Sequence, residues 1–160
     1  MSKTFQMRII EFFKNLFKPS SKYAGIWPIK VYVLRLFFGL MFFMAGRDAW
    51  QKLLEHEGAW DPEIAIAWCA ITAYTTLSGI GMIHTLKMLP IMLFMFFYKG
   101  LWLIFVAYPL WSTNQLIGSE YEEWATVFMI LIIPFVFTPW GYVFKTYLLG
   151  KDQKLNPKIS

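Results

Sequence analysis

The residue of this sequence with the most chemistry to offer is Lys99, which stands inside a long apolar stretch. It lies twelve residues after Lys87, or ~18 Å along a helix rising ~1.5 Å per residue. That puts its Cα near the middle of a ~30 Å hydrocarbon layer. An ammonium at that depth costs at least ~2.5 kcal/mol and marks a functional site by default. No carboxylate shares the depth, because the acidic residues fall in predicted loops, helix ends or termini. The side chain can snorkel toward Asp48 or Glu63, or bond hydroxyls and free carbonyls inside the protein.

Other polar residues are expected at a similar level. Thr72, Thr75 and Thr76 occupy the middle of a second apolar stretch, and Pro134 the middle of a fourth. Proline lacks an N–H, so Pro134 removes the helical bond to the Ile130 carbonyl. Arg35, one turn into the first stretch, and Trp102 complete the candidate ligand-binding set: Lys99, Thr72, Thr75, Thr76, Arg35 and Trp102. Such a set suits the polar head of an apolar ligand, a quinone or a lipid. The competing reading is that the threonines bond their own backbone while Lys99 ties helices together.

Other chemistries find little support. The two histidines, His56 and His84, are predicted on opposite sides of the membrane, so they do not build a multi-histidine metal site. Cys69 is the single cysteine, which excludes an intramolecular disulfide and the thiol–disulfide enzymes that need cysteine pairs. The sequence has no phosphate-cradling glycine loop, nucleophile elbow or zinc motif. It has no histidine within a predicted span to ligate a haem. Met92, Met95, Phe96 and Phe97 read as lipid-facing or core side chains. No catalytic or metal-binding residue and no cofactor is assigned, and the balance leans away from an enzyme.

The elements that position these residues follow from composition. Of 160 residues, 58% are apolar and only 16% charged, against about 25% charged in a soluble domain. The apolar surplus faces lipid. The net charge of +5 comes from basic residues clustered at the termini, which read as anchors to anionic lipid and not as a nucleic-acid surface. Four stretches of spanning length lie at about 31–50, 62–83, 88–111 and 124–144. The second starts at Asp61-Pro62-Glu63, with Asp as N-cap, Pro in the first turn and Glu at the positive end of the dipole. Residues 4–17 place Phe5, Ile9, Phe12, Phe13, Leu16 and Phe17 near one face with basic residues around it. That is the pattern of a helix lying in the interface, or of one packed on the protein's own cytoplasmic end. Arg8, Glu11 and Lys14 interrupt the apolar run, so a cleavable signal is not expected.

The fold class expected is therefore an all-α membrane protein. Residues 1–22 form an amphipathic basic segment, 23–150 a four-transmembrane-helix bundle, and 151–160 a polar tail. Six basic residues precede the first span and four follow the last, while the first loop is acidic and the third has Glu120, Glu122 and Glu123 with no Lys or Arg. Basic residues sort to the cytoplasmic side, so both termini and the second loop are expected inside.

Tyr32, Arg35, Gly39 and Gly46 share one helical face, and Thr75 and Gly79 give the second span a comparable close-contact surface. Within the first span, Arg35, Gly39, Phe42 and Gly46 form an R-x3-G-x2-F-x3-G pattern. This pattern, opening a four-span chain of this length, resembles the DoxX-like family over residues 31–52. Where that family often carries a lysine, three residues after the last glycine, this chain has Ala49, with Arg47 and Lys52 nearby. The resemblance implies a compact four-helix bundle in a bacterial inner membrane with both termini inside. It also implies roles as varied as quinone-coupled thiosulfate oxidation, membrane redox complexes and receptor assembly. Three functions are thus expected in order: a non-catalytic membrane subunit or assembly factor that associates with other membrane proteins or itself, a quinone- or lipid-binding redox component, and a small oligomeric transporter element.

Overall fold

Inside hydrocarbon the backbone has no water to bond, so a spanning segment satisfies its N–H and C=O groups internally as a helix. The computed structural model describes Arg8, Glu11 and residues 14–150, and among these it is all-helical with no strand. Three helices are long and apolar enough to cross a membrane: α1, Pro28–Leu54; α2, Pro62–Ile83; and α3, Leu89–Ser112. A fourth span is completed if α4, Glu120–Phe137, and α5, Trp140–Leu148, count together as one bent crossing. These properties are consistent with an integral membrane protein. The expected interfacial helix lies mostly outside the described residues, as does the 151–160 tail. Where described, Arg8, Glu11 and residues 14–16 are helical.

The fourth stretch, expected as one helix over 124–144, is interrupted twice. After Met129 the chain tightens, with the Leu131 N–H donating to the Phe128 carbonyl at 3.1 Å and the Ile133 N–H to the Ile130 carbonyl at 3.1 Å. The carbonyl that Pro134 cannot serve therefore does not stay free. A shorter i→i−3 bond takes it, and the acceptor anticipated for a polar pocket is occupied. The second interruption is Thr138-Pro139, where the residue before proline is biased away from helical angles.

Two compact units are distinguished: Arg35–Val136, and Met1–Leu34 together with Phe137–Ser160. In the second of these, the 20–26 segment closes a tight turn. The Gly25 N–H donates to the Ser20 carbonyl at 2.9 Å, and Ala24 and Gly25 both adopt positive φ. The Tyr23 and Tyr32 rings then meet edge to face at 6.3 Å.

The larger unit is built on an antiparallel seam between α1 and α2. Phe38 lies over Gly81 and Phe42 over Gly79, so closely that a Cβ on either glycine would come within 2.5 or 2.9 Å of ring carbons. Farther along, the roles exchange, and Gly46 of α1 receives Thr75 of α2. Small residues of this kind let membrane helices approach closely. Asp61 caps α2 as expected, its carboxylate accepting from the Glu63 N–H at 2.9 Å and the Ile64 N–H at 3.2 Å. In α1, the segment Met41–Ala45 is a π-turn, with the Gly46 N–H reaching back five residues to the Met41 carbonyl. A second π-turn occupies Leu103–Ala107 of α3. On α3, Met92 and Met95 are buried while Phe97 is exposed.

Candidate functional site

Lys99 sits ten residues after Leu89 in the 24-residue α3, about 15 Å from that end. Its Nζ lies 4.7 Å from the centroid of the Phe128 ring on α4. A ring face attracts a cation through its quadrupole. Phe128 itself is buried and is the hub of an aromatic cluster. Trp102 meets it edge to face at 5.0 Å, Trp124 at 6.1 Å and Tyr98 at 6.2 Å. Tyr98 also faces Tyr74 of α2 at 6.3 Å. Lys99 and Trp102, three residues apart on α3, thus converge on one residue of α4.

The threonines are engaged elsewhere. Thr72 donates to the Trp68 carbonyl at 2.8 Å, Thr75 to the Ile71 carbonyl at 2.8 Å, and Thr76 to the Thr72 carbonyl at 2.7 Å. This is the back-bonding that threonine makes to carbonyls one turn earlier. Thr76 also accepts a hydrogen bond from Trp50 Nε1 at 3.0 Å, which ties α1 to α2. Arg35 Nε donates to Thr85 Oγ1 at 3.4 Å, joining α1 to the turn before α3. The structure therefore brings Lys99 and Trp102 together at Phe128 and gives Arg35 and the threonines other partners. Among the described residues, no hydroxyl or carboxylate hydrogen-bonds the Lys99 ammonium.

Beside this cluster is a feature that the spacing of polar residues did not reveal. An open groove of about 250 Å³ runs between α3 and α4 and is lined by Phe96, Gly100, Leu103, Phe128, Ile132 and Phe135, among others. Its floor is low at Gly100, where an added Cβ would meet nothing within 4 Å. Phe96 and Phe135 meet edge to face at 5.4 Å across it. The usable sequence signal was Gly100 itself, a glycine next to the lysine of the third apolar stretch. Trp50 was likewise legible, since an indole N–H in lipid needs an acceptor.

No family model, curated protein or solved structure matches this chain. An ammonium held over a ring, next to an apolar groove open to the surroundings, can bind or position a lipophilic molecule. Among the described residues there is no group of three or more His, Cys, Asp or Glu side chains placed to hold a metal.

Proposed function

We propose that this chain is a non-catalytic integral membrane subunit or assembly factor that packs against other membrane proteins through α3. The observation that carries this reading is a stripe on α3. Phe94, Phe97, Leu101, Phe105 and Tyr108 are all exposed, and their spacing of three and four residues puts them on one face. Large side chains in a row give a partner helix many dispersion contacts to pack against. In this reading the four spans form a bundle in a bacterial inner membrane with both termini cytoplasmic, in keeping with the basic ends and the DoxX-like pattern of α1. The test is a photo-crosslinking amino acid at position 97 in cells, followed by gentle purification. Adducts with another membrane protein or with a second copy are expected. A clean monomer with lipid adducts alone would refute the proposal.

A second reading has its own support, the groove beside Lys99. Here the chain binds a lipophile, a quinone or lipid, in the seam between α3 and α4. Replacing Gly100 by Leu puts a side chain into the open floor, where the first added atom, the Cβ, meets nothing within 4 Å, and should weaken binding. A Gly100→Leu protein that binds brominated lipophiles as well as the parent does would remove this reading.

A further inference from the structure

The groove is apolar throughout, yet a cation stands one ring away from it. Phe128 belongs to both: the Lys99 ammonium lies over its ring, 4.7 Å from the centroid, and Phe128 is one of the residues that line the groove, although Lys99 is not. A lysine ammonium has three N–H donors, and a ring face supplies attraction but no lone pair to receive them. No acidic residue occurs between Glu63 and Glu120, so α3 carries no counter-charge of its own. We propose that the groove holds a single-chain lipophile with an anionic headgroup, a free long-chain carboxylate, whose oxygens accept from Lys99 while its chain lies over Gly100. This rests on the lipophile-binding reading and adds the headgroup class to it.

Two further observations select that occupant. The groove, at about 250 Å³, is below the ~300–1,000 Å³ of pockets that enclose a drug-sized ligand. It admits part of one chain, and being open it lets the remainder run into the surrounding lipid. Lys99 is about 15 Å from the Leu89 end and ~20 Å from the Ser112 end of α3, whereas a phospholipid phosphate stays at the interface. A small headgroup that can follow its chain inward fits this depth, and a two-chain phospholipid does not. The pairing also answers the cost of an isolated charge in lipid, since a buried ion is tolerated when a partner of opposite sign bonds it.

The experiment uses the full chain in nanodiscs of zwitterionic lipid. 9,10-Dibromostearic acid and its methyl ester are compared as quenchers of tryptophan fluorescence, with Trp102 and Trp124 as the reporters near the site. The acid should quench saturably and bind at least ~10-fold tighter than the ester, a difference of about 1.4 kcal/mol. Lys99→Met should erase the preference and leave the ester unchanged, and Gly100→Leu should weaken both. Equal binding of acid and ester to the unaltered protein overturns the headgroup assignment with no variant required. If Gly100→Leu still weakens both probes in that case, the lipophile-binding reading stands without it. If Gly100→Leu changes neither, that reading fails as well.

Discussion

Gly81→Ala is the substitution that most directly tests the seam between α1 and α2. A Cβ at this position would lie 2.5, 2.6 and 2.7 Å from three carbons of the Phe38 ring. Ordinary carbon contacts are about 3.5–4.0 Å, so the overlap is about 1 Å. Phe38 is 0% exposed and has no open side to which its ring can swing. Overpacking of this kind costs about 1–3 kcal/mol. Alanine also brings about 1 kcal/mol of helix propensity, which hides part of the loss. Gly100→Ala supplies the control, because it makes the same propensity gain where nothing lies within 4 Å. The difference between the two variants isolates the overlap and should be about 1–3 kcal/mol. The assay is reversible unfolding in mixed micelles of mild detergent and dodecyl sulfate, followed by far-UV circular dichroism. Adding Phe38→Leu to Gly81→Ala should restore part of the loss, since coupled neighbours are not additive. Two alanine variants that unfold together would refute the close approach of Phe38 and Gly81.

Three further outcomes are expected. Thr76→Val removes the acceptor for Trp50 Nε1 and should cost about 0.5–1.5 kcal/mol; a cycle with Trp50→Phe should show non-additive losses, and simple additivity would exclude the bond. Pro134→Ala supplies an N–H for the Ile130 carbonyl, so amide exchange over residues 132–137 should slow, and unchanged exchange would count against the proline as the cause of the tightened turn. In a Cys69→Ser background, a membrane-impermeant maleimide should label the Glu57→Cys variant in spheroplasts and the His84→Cys variant only after lysis. The reverse pattern would invert the proposed threading.

Much of the helical layout was legible because its signals are local. The Asp61 cap and the length of α2 follow from side-chain chemistry within a few residues, and the structure places that helix at Pro62–Ile83. Lys99 stood out because a charge among apolar residues needs no fold to be noticed. Its partner did not, because Phe128 is one of 16 phenylalanines and nothing in the sequence marks which ring faces which helix. The threonines left two readings open for a related reason: a hydroxyl in a helix can turn to its own backbone as readily as to a neighbour. The groove depends on the shape left between two helices, and only Gly100 hinted at it. The break at Thr138-Pro139 was readable from proline chemistry, but the apolar run across it masked the interruption.

The π-turn of α1 has a consequence for how this chain tolerates change in length. Phe38, Phe42, Gly46 and Trp50 all reach α2, although they are spaced by four. At 3.6 residues per turn, each step of four drifts by about 40°, so three steps would carry Trp50 about 120° off the seam. The wide turn at Met41–Ala45 absorbs one surplus residue and takes that drift back. Removing either Phe43 or Met44 would leave contacts spaced four, three and four, the rhythm of an ordinary straight helix. A single deletion at that point should thus keep Trp50 within reach of Thr76, whereas the same deletion at Leu36 would swing every earlier residue of the helix by about 100°. The wide turn is a slack link, the one place in α1 where the chain can shorten by a residue and remain in phase.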